Sequence, residues 1–73
     1  MEGYSVNFIA ALLKLECKAI LQYGYKSMFN IDKIMAQKIR NLTSLTDIIT
    51  EIVDRKHTTD IGIIVKELNK TVM

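Results

Sequence analysis

Apolar residues recur at intervals of three and four from Ser5 onward, and no proline interrupts them. This spacing places apolar side chains on one face of an α-helix, and no run of residues alternates in the way typical of a half-buried strand. The sequence therefore predicts an all-α fold, a small single-domain bundle or orthogonal array spanning residues 1–73. Its predicted helices cover residues 5–28, 31–41, 45–57 and 60–71.

The first predicted helix carries more apolar surface than one core can bury. Ser5 is suited to cap its start, and Gly24 weakens it within the aromatic stretch YGYKSMF. Its apolar residues form one face and two margins: Ile9, Leu12, Leu13, Ile20 and Tyr23 on the face, Phe8, Leu15 and Ala19 on one margin, and Cys17 and Leu21 on the other. A helix that is apolar around most of its circumference is central in a bundle or shared between subunits.

The other three helices have one-sided apolar patterns. Asn30 is a natural cap for the second helix, and Ser44 with Asp47 resembles a capping box at the start of the third. Thr58 or Thr59 is suited to cap the last. The residues predicted to face the core are Ile31, Ile34, Met35, Ile39 and Leu42 in the second helix, Leu45, Ile48, Ile49, Ile52 and Val53 in the third, and Ile61, Ile64, Val65, Leu68 and Val72 in the last.

The small size of the chain limits how it can be stabilised. Many domains near 73 residues rely on a disulfide, a metal or a partner. Cys17 is the one cysteine, predicted as a buried thiol, and His57 is the one histidine. Neither a disulfide nor a metal cage is therefore predicted, and no cofactor is expected. Because 49% of the residues are apolar, we expect the surplus apolar surface to be buried against another chain.

The N-terminal stretch predicts a cytoplasmic protein without a membrane-inserted segment. Its apolar run FIAALL is cut short by Lys14, Glu16 and Lys18, and an acid stands near its start. An amphipathic helix lying on a membrane surface is a minor alternative. The abundance of Ile, Asn, Lys and Thr is typical of AT-rich genes, such as those of many viruses and low-GC bacteria.

Glu16 falls inside the apolar face of the first helix, where a carboxylate buried without a partner is costly. One interpretation is a structural ion pair or hydrogen bond, with Lys38 or Arg40 as candidate partners, or an edge position from which the carboxylate reaches water. Another is a pair across a subunit interface that sets its register. A catalytic acid ranks last, because no second acid, histidine or nucleophile is placed to work with it.

No catalytic set, phosphate loop or histidine pair occurs in the sequence, so we predict a non-enzymatic protein without a small-molecule substrate. The surplus apolar surface indicates a protein-protein interaction module: a regulatory, adaptor or assembly protein that forms a homodimer or binds a larger partner through its first helix. Tyr23, Tyr25, Met28 and Phe29 either cover one end of the core or anchor a partner. The predicted interface consists of Phe8, Leu12, Leu15, Glu16, Ala19, Tyr23, Tyr25 and Ile63.

A helix-turn-helix regulator that binds DNA is the alternative. It would use the helices over residues 45–57 and 60–71, with Lys66, Asn69 and Lys70 contacting nucleic acid. The predicted break over residues 54–59 is longer than is usual in that motif and has no glycine. Acids at Asp60 and Glu67 flank the predicted outer face of the last helix, where they would repel phosphate. The net charge is only +2, and the basic excess lies in residues 1–40.

Overall fold

The computed structural model describes residues 5–72, which form four α-helices joined by short connections. They are α1 (Val6–Tyr23), α2 (Lys33–Arg40), α3 (Leu45–Lys56) and α4 (Ile61–Val72). No strand occurs in this part of the chain. The predicted small all-α bundle of four helices is confirmed, and α2 and α3 are separate helices.

α1 is shorter than predicted. The Ser5 hydroxyl accepts a hydrogen bond from the backbone N–H of Phe8 at 3.1 Å, so the predicted cap is confirmed. At the other end Gly24 has a φ of 69°. Its N–H donates to the carbonyl oxygen of Ile20 at 3.1 Å, and the N–H of Tyr25 donates to that of Ala19 at 3.2 Å. A glycine in this left-handed conformation satisfies the last carbonyls and ends a helix. The predicted extension to residue 28 is therefore wrong.

The caps of α2 and α3 also differ from the predicted ones. The Asp32 carboxylate caps α2 by accepting a hydrogen bond from the N–H of Met35 at 2.8 Å. Asn30, the predicted cap, instead takes the left-handed conformation with a φ of 61°, which asparagine tolerates better than most residues. Ser44 precedes α3 without a side-chain cap hydrogen bond, so the capping box predicted with Asp47 is not formed.

Residues 57–60 connect α3 to α4. His57 takes the left-handed conformation with a φ of 54°, a role that glycine has in many helix ends. Asp60, and neither Thr58 nor Thr59, caps α4, because its carboxylate accepts a hydrogen bond from the N–H of Ile63 at 3.1 Å. The Thr58 hydroxyl accepts from the N–H of Asp60 at 3.1 Å and so shapes the turn before the cap.

The core lies where α1 packs against α2 and α3, and α4 packs against α3 and α2. Most predicted core positions of α3 and α4 are buried, and the others are partly buried. The core prediction for Ile34 is wrong, since it is 63% exposed. Tyr23, predicted either to cover one end of the core or to anchor a partner, is 76% exposed. Ile34 lies on the side of α2 away from its buried residues, and Tyr23 ends α1 beside the terminating glycine. The buried apolar residues are Ile9, Ala10, Leu13, Cys17, Ile20, Ile31, Met35, Ala36, Ile39, Leu45, Ile49, Ile52, Ile64, Val65 and Leu68.

Candidate functional site

α1 presents a second apolar side to solvent. We call this side, formed by Phe8, Leu12, Leu15 and Ala19, the outer face of α1. Phe8 is 49% exposed and Leu15 is 64% exposed, while Leu12 and Ala19 are partly buried. All four residues belong to the interface predicted from the sequence. The structure thus places the surplus apolar surface of α1 at the surface of the bundle.

The outer face repeats at intervals of four, three and four residues, which is the spacing of a helix-helix seam in a coiled coil. The inner side of the helix has the same kind of spacing and packs into the core through Val6, Ala10, Leu13, Cys17 and Ile20. α1 therefore carries two seams. The inner seam holds the bundle together, and the outer seam faces solvent.

Glu16 lies between the two seams and holds the connection that follows α1. The Ser27 hydroxyl donates a hydrogen bond to its Oε1 at 2.9 Å. Ser27 was not predicted as a partner, since Lys38 and Arg40 were the candidates. The first helix was predicted to continue to residue 28. A helix of that length has no turn after Tyr23, and this turn is what brings Ser27 back toward Glu16.

Two neighbours of Glu16 have raised pKa values. Desolvation raises the pKa of the Tyr25 hydroxyl, and the charge of the nearby Glu16 raises it further. Burial and the Glu16 charge raise the pKa of the Cys17 thiol to about 11, while Arg40 acts in the opposite direction. Cys17 has no exposed surface, so the predicted buried thiol is confirmed. It is protonated at neutral pH and is not an activated nucleophile.

The other predicted interface residues do not form one surface with the outer face. Ile63 on α4 is 42% exposed and lines a groove of about 380 Å³, together with Met28 and Phe29. No residue of the outer face lines this groove. Tyr23 is exposed at the end of α1, one turn beyond Ala19, and Tyr25 is exposed in the connection that follows. The group formed by Tyr23, Tyr25, Met28 and Phe29 is therefore divided. Phe29 packs against the core, whereas Tyr23 and Met28 are exposed.

A cluster of charges surrounds Glu67, which was predicted to flank the exposed side of the last helix. The structure buries it instead, because Glu67 is 9% exposed and packs toward the end of α3. Arg55 Nη2 lies 3.2 Å from its Oε1, and the Nζ atoms of Lys56 and Lys70 lie 3.6 and 3.5 Å from its Oε2. Burial raises the pKa of Glu67, but Lys56, Lys70 and Arg55 outweigh that effect, and the net shift is downward.

The sequence contained a partial signal for this cluster. Glu67 and Lys70 are three residues apart on one helix, and two bases end the preceding helix. The sequence does not give the angle at which α3 and α4 cross, and it is this angle that brings Arg55 and Lys56 close to Glu67.

The residues of the DNA-binding alternative divide into two groups on α4. Lys66 and Asn69 line the same groove as Ile63, whereas the ammonium group of Lys70 lies beside Glu67. Asp60 stands at the N-terminus of α4, the part of a recognition helix that contacts base edges, and its charge opposes phosphate. The connection itself is compatible with a helix-turn-helix. The break predicted over residues 54–59 is wrong, because α3 continues to residue 56 and the connection has only four residues.

Within residues 5–72, no group of three or more His, Cys, Asp or Glu residues is arranged to hold a metal ion. No helix in the same range combines the length and apolar character needed to cross a membrane. No protein-family model, curated protein or solved structure matches this chain. A functional proposal therefore depends on the surface and burial of its own residues.

Proposed function

We propose that this protein is a non-enzymatic protein-protein interaction module, a small regulatory, adaptor or assembly protein that acts through the outer face of α1. It forms a homodimer or binds a larger protein. The observation that carries the proposal is the exposure of Phe8 and Leu15, at 49% and 64%, on a strip with the spacing of a helix-helix seam. Burying a leucine or phenylalanine side chain that was exposed contributes about 1.5–3 kcal/mol, which favours contact with another apolar surface.

The roles of the ionisable residues support a binding function over catalysis. Glu16 holds the turn after α1, and Cys17 is a buried, protonated thiol. Glu67 is surrounded by three cations that hold its pKa down. Each of these three groups therefore has a structural role in the fold. A cytoplasmic location is part of the proposal, since the one thiol needs no oxidising compartment.

We expect Leu15→Glu to weaken association through α1 by roughly tenfold or more, because it places a charge in the centre of an apolar contact. Sedimentation velocity of the wild-type protein should show a complex, either with its own copies or with a protein partner, and the variant should sediment as a monomer. Leu15 is exposed, so circular dichroism should show the wild-type helix content.

Asn7→Glu is the matched control, because Asn7 is an exposed α1 residue outside the outer face. It adds the same charge to the same helix and should leave association unchanged. A folded Leu15→Glu variant that keeps the wild-type mass would remove the outer face from the proposal. Equal losses in both variants would point to charge on the whole helix instead of a contact at Leu15.

DNA binding is the second candidate function, favoured by the four-residue connection with His57 in the position of glycine. If it holds, the wild-type protein shifts duplex DNA in a salt-dependent gel assay, and the double variant Lys66→Glu, Lys70→Glu loses that shift. On the proposed function, we expect no shift with either protein. A shift that survives the double variant and disappears in Lys14→Glu, Lys18→Glu would place nucleic-acid binding on α1 instead.

A further inference from the structure

We infer that the charge cluster around Glu67 binds a phosphate dianion, either a free phosphate ion or a phosphomonoester group, on its solvent-facing side. The cluster lies where the end of α3 meets α4, and none of its residues belongs to the outer face of α1. The inference therefore goes beyond the proposed function and does not depend on it. It follows from the charge, exposure and arrangement of three cations, Arg55, Lys56 and Lys70.

The cluster has more positive charge than its acid neutralises. Its three cations carry three positive charges, and among residues 5–72 Glu67 is the only carboxylate with an oxygen within 4.0 Å of them. The pKa of Glu67 is lowered, so it is ionised at neutral pH and contributes one negative charge. An excess of two positive charges is left, and a phosphate dianion carries the charge that balances it.

The contacts with Glu67 use few of the hydrogen-bond donors in the cluster. The Nζ atoms of Lys56 and Lys70 lie 3.6 and 3.5 Å from the same oxygen, Oε2. Close charge-assisted hydrogen bonds are shorter, at about 2.7–2.9 Å. A guanidinium has five N–H donors and an ammonium has three, whereas a carboxylate has only two acceptor oxygens. Most of the N–H groups of the cluster therefore have no acceptor on Glu67.

The cations reach solvent above the carboxylate that holds them. The side chains of Arg55, Lys56 and Lys70 are 53%, 44% and 71% exposed, while that of Glu67 is 12% exposed. An anion can therefore approach the cations from solvent on the side away from the buried carboxylate. Because each cation lies within 3.6 Å of Glu67, the three are close enough together for one polyatomic anion to contact them. Holding them there in advance lowers the entropy cost of binding.

The chemistry of the cations favours phosphate over other anions. A phosphomonoester presents three acceptor oxygens and about two negative charges, whereas a carboxylate presents two oxygens and one charge. Arginine binds phosphate with its planar fork of donors and lysine binds it as a point charge. Duplex DNA fits less well, because its charges follow a track. The positive excess here is confined to one place, and Asp60 at the start of α4 would oppose such a track.

NMR titration of the isotope-labelled protein with sodium phosphate, with ionic strength held constant by sodium chloride, tests the site. We expect saturable shifts of amide signals in the last turns of α3 and α4. The dissociation constant should be on the order of 1 mM, because the contacts are charge-assisted but exposed to water. The double variant Lys56→Gln, Lys70→Gln should bind phosphate roughly tenfold or more weakly.

The matched control is Lys14→Gln, Lys18→Gln, which removes two exposed lysines from α1 and should leave phosphate binding unchanged. Shifts that do not saturate, or equal losses in both double variants, overturn the inference. Circular dichroism shows whether each variant is folded. If the first double variant does not fold, Lys70→Gln alone removes the most exposed of the three cations and should still weaken binding several-fold.

Competing anions test the assignment to phosphate. Sodium acetate at the same ionic strength should bind at least tenfold more weakly, and equal binding of acetate overturns the assignment. A short DNA duplex that binds more tightly than phosphate, and loses binding in Lys56→Gln, Lys70→Gln, also overturns it in favour of a phosphodiester backbone. Methyl phosphate distinguishes the two supported sources. Binding at least as tight as that of inorganic phosphate indicates a monoester, and binding of inorganic phosphate alone indicates the free ion. Leu15→Glu should leave phosphate binding unchanged, so failure of this inference and failure of the proposed function are seen separately.

Discussion

Leu13→Ala is expected to unfold most of the protein near physiological temperature. Leu13 has no exposed surface at the centre of the inner seam of α1, the helix that packs against both α2 and α3. Replacing a buried leucine by alanine costs about 2–5 kcal/mol, since the lost apolar contacts are not recovered by collapse around the cavity. A core of this size supplies only about 3–5 kcal/mol in total. Urea denaturation followed by circular dichroism measures the loss.

Leu15→Ala is the matched control, because it makes the same chemical change two residues further along the same helix. Leu15 is 64% exposed, and a surface substitution of this kind changes the free energy of unfolding by less than about 0.5 kcal/mol. The measurement should use a concentration at which the protein is monomeric, so that association does not contribute to the free energy of unfolding. Equal losses for the two substitutions would contradict the division of α1 into an inner seam and an outer face.

Glu67→Gln is expected to lower the thermal midpoint at neutral pH and to flatten the acid side of the stability profile. The variant keeps the size of the side chain but removes the charge that Arg55, Lys56 and Lys70 neutralise. The pKa of Glu67 in the folded protein is lowered. Its ion pairs therefore stabilise the fold above the ordinary glutamate pKa of about 4.3, and this contribution is lost as the pH falls below that value.

Glu51→Gln is the control for this experiment, since Glu51 is an exposed acid on α3. Thermal denaturation of the wild type and of both variants between neutral and acidic pH gives the comparison. The wild type and Glu51→Gln should lose stability together on acidification, and Glu67→Gln should lose less because part of the loss is already present at neutral pH. A Glu67→Gln profile parallel to that of the wild type would show that the three cations do not stabilise the ionised carboxylate.

The outer face of α1 shows what the spacing of apolar residues along one helix can predict. Helical spacing alone predicted Phe8, Leu12, Leu15 and Ala19 as the interface, because apolar residues around most of a helix exceed what one core can cover. The predicted interface also included Ile63 of the last helix, and the structure places it beside a separate groove. Spacing describes one helix at a time, so it does not say which residues of different helices share a surface.

Helix ends show the same limit. Ser5 was predicted correctly because a capping serine acts on a backbone N–H three residues away, within its own sequence neighbourhood. Asn30 and Asp32 are both good caps, and the choice between them depended on the turn that returns the chain from α1 to α2. Gly24 was predicted only to weaken the first helix, whereas in the structure it ends that helix. Its left-handed backbone conformation was not visible in the sequence.

The sequence by itself determined the all-α class, the number of helices, the core faces of α3 and α4, and the surplus apolar surface of α1. These properties follow from the 3.6-residue repeat of a helix and from contacts between residues close in the chain. Only the tertiary structure decided the burial of Glu67 among three cations, the hydrogen bond between Ser27 and Glu16, and the exposure of Ile34. Each of these depends on the angle and position at which two elements meet, which no local pattern encodes.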